Sequence, residues 1–155
     1  MAVKDQEARF IRELDVSIVA FNQDGRLGRE RATKRAKRVT GRDWTYTALL
    51  ILEELKQNAA LRMTELAVLA GTTAPTVTQL VRDLQVQGLV DKIPDEQDGR
   101  ASIVSLTAEG RQVAEDIGGA RVEALTQAMA GWSGEDLERF VGLFERLQAA
   151  MRRMG

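Results

Sequence analysis

Thr73, Pro75, Thr76, Thr78, Gln79 and Arg82 bring hydroxyls, an amide and a guanidinium together within ten residues. Such groups make hydrogen bonds rather than break covalent ones. A Gln amide can pair with the edge of adenine, a Thr can meet a thymine methyl or a phosphate, and an Arg can meet guanine or phosphate. Their spacing puts them on one helix. Val77, Leu80, Val81 and Leu84 recur at i, i+3, i+4 and i+7 and form one apolar stripe. With that stripe buried, Pro75, Gln79 and Arg82 face outward, and Thr76 and Thr78 flank them at the N-terminal end. Thr73 is positioned to cap the helix, with Ala74 and Pro75 in the first turn, where a missing N–H costs little. A plain amphipathic helix has the same periodicity, so the pattern alone leaves both readings open.

Covalent and metal chemistry have little to work with. The chain of 155 residues contains no His and no Cys. That removes the usual general base, the usual zinc ligand, the thiolate nucleophile and the disulfide. No nucleophile–base pattern and no phosphate-cradling Gly loop is present, so neither an enzyme nor a cofactor is expected. Hydrophobic residues make up 44% and charged residues 29%, ordinary usage for a globular chain. No apolar run reaches the ~18 residues of a membrane helix. The N-terminus MAVKDQEARF lacks the hydrophobic core of a signal peptide, so a cytoplasmic protein is expected.

The elements around the polar helix follow from caps, turns and periodicity. Thr64 is expected to cap a short helix over Glu65 to Ala70, which Gly71 ends. Two helices joined by a short Gly-containing turn are a helix-turn-helix candidate. Leu89 to Ile93 and Ile103 to Leu106 are β-prone, and Asp98-Gly99 between them is a hairpin turn signal. A hairpin at that place makes the motif a winged one. Upstream, Thr40 is expected to cap a buried helix from Trp44 to Leu55. Asp5 to Phe21 reads as a helix, and Asn22 to Gly25 is a turn signal; a kinked helix and two helices both fit. Downstream, Thr107 begins a helix to about Met129, and Ser133 caps a last helix. That helix sets Leu137, Phe140, Val141, Phe144, Leu147 and Met151 on one side.

Charge is unevenly spread. Lys plus Arg is 22 and Asp plus Glu is 23, a net charge of −1. Residues 24–43 nevertheless hold eight basic against three acidic residues, a local +5. Such a block is either a phosphate-binding patch or a solvated helix face.

The run from Trp44 to about Gly110 resembles the MarR family of bacterial transcriptional regulators. TVTQLVRDLQVQGLV carries the resemblance for the recognition helix and DEQDGRASIVSLTAEG for the wing. The resemblance implies a mainly α fold, a winged helix-turn-helix with a two-stranded wing, flanked by N- and C-terminal dimerisation helices. It divides the chain into an N-terminal dimerisation helix over 1–38, a DNA-binding domain over 40–106 and C-terminal dimerisation helices over 107–155. It further implies a homodimer that reads a pseudo-palindromic operator in double-stranded DNA and acts as a repressor. Arg100 at the wing tip would enter the minor groove, held by Asp98.

Many members of that family release DNA on binding small aromatic or phenolic anions. Phe21, Trp44 and Tyr46 are the candidate apolar walls of such a pocket, with Arg42 as carboxylate partner; Trp44 and Tyr46 serve equally well as ordinary junction residues. Two departures stand out. Gln79 occupies a position that is often Arg in the family. The wing carries Asp91, Asp95, Glu96 and Asp98 against Lys92 and Arg100. That acidic wing is the best support for the alternative, a winged-helix protein-interaction module without specific DNA binding.

Overall fold

The structure is a computed structural model and describes residues 11–14, 25–95, 98 and 101–154. Residues 11–14 are helical. Helix α1 spans Gly25–Thr40, α2 Tyr46–Asn58, α3 Met63–Leu69, α4 Ala74–Val86, α5 Ala108–Ala128 and α6 Gly134–Met154. Strands β1 (Ala60–Arg62), β2 (Val90–Pro94) and β3 (Ser102–Leu106) form one antiparallel sheet in the order β1-β3-β2. The expected winged helix-turn-helix is present, with the β2–β3 hairpin as its wing. The expected helix over Asp5 to Phe21 and the turn at Asn22 to Asp24 lie outside the described residues, apart from the helical 11–14.

The core explains the architecture. Ile51, Leu52 and Leu55 of α2, Leu66 of α3, and Val77, Val81 and Leu84 of α4 are fully buried together. Leu89, Val90, Val104 and Leu106 close the cluster from the sheet, and Val113 and Ala114 from α5. In β3, Val104 and Leu106 point to the core while Ile103 and Ser105 face the other way, the period of two that a pleated strand dictates.

Two expected caps fall elsewhere. Thr40 ends α1 rather than starting α2: its Oγ1 donates to the Ala36 carbonyl at 2.8 Å, a bond to the preceding turn. Thr45 is the cap of α2, accepting from Ala48 N at 3.2 Å. Thr64 lies inside α3. There the start is fixed by the Glu65 carboxylate, which accepts the Arg62 backbone N–H at 2.7 Å.

By its contacts the chain divides into two compact units, one ending at Arg121 and one from Val122 onward. In the first, Glu53 of α2 sits between Arg121 of α5 (3.2 Å) and Lys56 (3.4 Å). Burial pushes the Glu53 carboxyl up. The Gln57 amide, the Arg121 guanidinium and the Lys56 ammonium outweigh it, and the carboxyl titrates below its ordinary value. In the second unit, Trp132 meets Phe140 edge-on at 5.4 Å, and Phe140 stacks on Phe144 at 5.9 Å. Helix α6 has no buried residue: Phe140, Val141, Leu143, Phe144 and Met151 are all exposed.

Candidate nucleic-acid interface

The turn between α3 and α4 is built from backbone bonds. Thr72 N donates to Ala67 O at 3.0 Å and Gly71 N to Val68 O at 3.1 Å, the paired closure of a Schellman motif. Gly71 sits at φ +59°, in the left-handed region where a side chain strains the backbone. Thr73 follows as N-cap, accepting from Thr76 N at 3.5 Å, and the two threonine hydroxyls are 2.9 Å apart.

Helix α4 then divides cleanly. Val77, Val81 and Leu84 are buried, and Leu80 packs against the core. Pro75, Thr76, Thr78, Gln79 and Arg82 are exposed. Thr78 Oγ1 donates to the Ala74 carbonyl at 2.9 Å, which fixes its rotamer. Gln79 Nε2 donates to Asp83 Oδ1 at 2.8 Å, leaving the amide oxygen and one N–H available. Arg82 makes no ion pair among the described residues. The face holds two hydroxyls, an amide and one cation, a set that reads hydrogen-bonding edges rather than one that attracts by charge.

The loop of the wing is closed by backbone bonds. Ala101 N donates to Asp98 O at 2.8 Å and Asp95 N to Ala101 O at 3.0 Å. Arg100 lies outside the described residues, and so does any contact it makes with Asp98. Asp95, only 5% exposed, pairs with Arg62 of β1 at 2.5 Å. The wing leads into α5 through Thr107. Its Oγ1 donates to the Gly88 carbonyl at 2.7 Å and accepts from Gly110 N at 2.9 Å. Thr107 thus caps α5 and ties it to the end of α4. Gly110 is required by proximity: a Cβ there would lie 1.8 Å from the Leu89 carbonyl oxygen.

The residues proposed as a ligand pocket are dispersed among other partners. Arg42 Nη2 meets Glu109 Oε1 at 2.5 Å, while its Nη1 is buried without a hydrogen-bond partner. Trp44 Nε1 donates to Thr40 Oγ1 at 2.8 Å. Tyr46 lies under the Arg29 guanidinium, 5.9 Å from the ring centre. Phe21 lies outside the described residues. Trp44 lines a cleft of about 100 Å³ with Asp43, Leu80, Asp83 and Gln87, and neither Arg42 nor Tyr46 reaches it.

Arg62, Asp95, Thr107 and Gly110 carry much of this geometry, and spacing alone did not single them out as a set. Among the described residues no His, Cys, Asp or Glu cluster could hold a metal ion, and no helix is long and apolar enough to cross a membrane.

Helix, Gly-containing turn, exposed polar helix and hairpin together define a winged helix-turn-helix. The family model described as MarR family matches residues 43–101, from the entry to α2 up to the start of β3. Over 104 residues the chain is 27% identical to the uncharacterized HTH-type transcriptional regulator YxaD of Bacillus subtilis (strain 168), covering 67% of this chain and 73% of that one. A probable transcriptional regulator from Pseudomonas aeruginosa, known from its crystal structure, is 30% identical, covering 79% of this chain and 92% of that one at a TM-score of 0.59. The fold is also that of NadR in its crystal structure with 4-hydroxyphenylacetate, at 21% identity, 92% and 94% coverage and a TM-score of 0.67. The chain belongs to the MarR family. It is a DNA-binding transcription regulator and not an enzyme.

Proposed function

We propose that the protein is a homodimeric, cytoplasmic repressor that reads a pseudo-palindromic operator and is released by a small aromatic or phenolic ligand. The observation that carries the reading is the free face of α4, where Pro75, Thr76, Thr78, Gln79 and Arg82 stand exposed over a fully buried stripe. Each protomer presents one such helix to a major groove, and a two-fold dimer spaces two of them by about one helical turn, ~34 Å. Arg100 at the wing tip reaches the adjoining minor groove, with Asp98 two residues before it in sequence. The division of labour follows the three stretches of sequence, with 40–106 reading the DNA sequence and the apolar positions of 1–38 and 107–155 on the partner copy.

Dimerisation is supported by α6, whose exposed Phe140, Val141, Phe144 and Met151 need a covering surface. The ligand class is supported by the shared fold with NadR, which was captured with 4-hydroxyphenylacetate. Phe21, Arg42, Trp44 and Tyr46 remain the proposed lining. An interaction module without DNA binding is disfavoured by the Arg62–Asp95 pair, which neutralises one acid of the wing and takes it out of solvent.

The test is a fluorescence-anisotropy titration against the DNA flanking the protein's own gene, at two salt concentrations, beside a shuffled duplex. Preference for the native sequence, weakening at higher salt, is the expected result. Equal affinity for the two duplexes would overturn sequence-specific recognition at that DNA. Adding 4-hydroxyphenylacetate to the bound complex then tests release.

A further inference from the structure

Helix α1 carries Arg26, Arg29, Arg31, Lys34, Arg35, Lys37 and Arg38 against one acid, Glu30, a formal +6 over sixteen residues. The whole chain has a net charge of −1, so everything outside this helix is acidic in sum. A concentration of that kind is unneeded for packing. Helix α1 packs through a small-residue stripe: Ala36 is 1% exposed, and Ala32, Thr33 and Thr40 beside it are partly buried.

At about 100° per residue, Arg31, Lys34, Arg35 and Arg38 share an arc of roughly 100° opposite that stripe and span about 10 Å of axis. Lys34 is paired with Glu30 at 2.6 Å, and Lys37, off the arc, with Asp43 at 2.6 Å. Arg31, Arg35 and Arg38 have no ion-pair partner among the described residues. They stand at i, i+4 and i+7.

The stripe is held in place. Trp44 Nε1 donates to Thr40 Oγ1, Thr40 Oγ1 donates to Ala36 O, and Lys37 bonds Asp43 across the turn into α2. Asp43 and Trp44, just past the end of α1, share a cleft with Leu80 and Asp83 of α4 and its C-cap Gln87. Leu80 and Asp83 flank the exposed Gln79–Arg82 face. The end of the basic stripe is therefore next to the helix that enters the groove, and the flanks of such a helix are where the phosphate strands run.

We propose that α1 is a second, sequence-independent DNA contact, in which Arg31, Arg35 and Arg38 take phosphates of the duplex backbone adjoining the half-site read by α4. This rests on the DNA-binding reading and assigns its electrostatic part. Helix α4 offers one cation, Arg82, and the wing holds more acids than bases, so α1 is the densest source of phosphate attraction in the chain. Guanidinium groups suit the task, since their planar fork matches two phosphate oxygens. A membrane surface is the poorer partner. An interfacial helix needs an apolar face, and α1 exposes only Leu27 and Val39 as large hydrophobics, with no aromatic residue.

The experiment uses the full chain and a duplex of mixed sequence, with affinity measured across a salt series. The variants are R31Q/R35Q/R38Q, its charge-keeping counterpart R31K/R35K/R38K, and R82Q on the reading face. The plot of log affinity against log salt is expected to flatten by about two to three for each engaged protomer in the glutamine variant, with affinity down ~10-fold or more at low salt. The lysine variant should keep most of the slope, and R82Q should lose about one. Circular dichroism checks that the fold persists, since Arg31 and Arg38 are exposed but Arg35 is partly buried. If the wild type binds and the glutamine variant keeps its slope, the α1 contact is wrong and DNA binding stands. If the wild type binds no duplex, both fall. Equal loss in the lysine and glutamine variants would also overturn it, because the effect would then not be one of charge. So would α1-dependent capture on phosphatidylserine vesicles with an unchanged DNA slope.

Discussion

Nη2 of Arg62 lies 2.5 Å from Oδ2 of Asp95, although Arg62 ends one outer strand of the sheet and Asp95 directly follows the other, with β3 between them. Arg62 pairs in register with Ile103, and Ile103 with Ile93. The guanidinium thus crosses the outer face of β3 to reach the first residue beyond β2. The same Arg62 gives its backbone N–H to Glu65 at the start of α3. One residue therefore fixes both the entry to the helix-turn-helix and the loop end of β2 in the wing.

Replacing Arg62 by Ala removes one charged partner of the buried Asp95. Breaking a fully buried pair costs about 3–5 kcal/mol. Arg62 is 42% exposed, so the smaller loss of ~1–3 kcal/mol is expected. Urea unfolding measures it. Arg62→Lys, which keeps the charge, should recover part of the loss. An R62A variant as stable as the wild type would show that the pair contributes nothing.

Two glycines of α5 should respond oppositely to the same change. At Gly110 a methyl group would collide with the Leu89 backbone, which already accepts Thr107 N at 3.1 Å and is enclosed in the core. Gly110→Ala should lower stability by ~2–4 kcal/mol, since backbone must move. At Gly119 nothing lies within 4 Å of a new Cβ. There Ala should add ~0.5–1 kcal/mol through helix propensity alone. Thermal melts of the two variants, run side by side, decide whether the clash or the propensity governs each site.

The parts legible in the sequence were those fixed by local chemistry. Val77, Val81 and Leu84 repeat at helical spacing because one face must be buried, and Thr73 and Gly71 mark the ends of that geometry by side-chain and backbone preference. Strand β1 escaped because Ala60-Leu61-Arg62 is too short to carry a period; it is a strand only because β3 offers it a partner. Thr40 misled because a threonine between two helices can bond backward as well as forward, and its hydroxyl donates to Ala36 O of the preceding turn. Arg62 and Asp95 are 33 positions apart in sequence, and only the sheet brings them together. The Arg42–Glu109 pair was hidden for the same reason, and it changes what Arg42 is free to do.

Glu53 makes stability depend on pH in a definite direction. Its folded pKa is depressed, so its contribution is present above the unfolded value of ~4.3 and is lost as pH falls through the lower folded value. Glu53→Gln should therefore be less stable than the wild type at pH 7, and the difference should shrink on acidification below about pH 4. Denaturant unfolding at a series of pH values reads this directly. A gap that stays constant with pH would mean that packing, not charge, is lost.

On the reading face, Gln79 and Arg82 should fail in different ways. Gln79→Ala removes a hydrogen-bonding edge; it should cost ~1–3 kcal/mol of discrimination at one base pair and leave binding to shuffled DNA nearly unchanged. Arg82→Ala removes one cation; it should weaken all duplexes about equally and reduce the salt slope by about one. Competition titrations with single-base variants of the bound site separate the two. The Gln79–Asp83 bond adds a control, since Asp83→Ala frees the amide without removing it.

Phe144 tests the second copy. It is 49% exposed, stacked on Phe140, in a helix with no buried residue and a continuous apolar side. A carboxylate there costs the isolated chain little, because the site is already wet. In a two-fold dimer built on α6, the same carboxylate is buried against apolar surface and meets its own copy across the axis, which is unfavourable on both counts. Phe144→Asp should therefore move the mass seen by light scattering from twice 17.1 kDa to 17.1 kDa, at concentrations where the wild type stays paired. An increase of ~100-fold in the dissociation constant, about 2.7 kcal/mol, is the minimum expected. Retention of the wild-type mass by a folded F144D chain would remove α6 from the dimer interface and leave its apolar side to another partner.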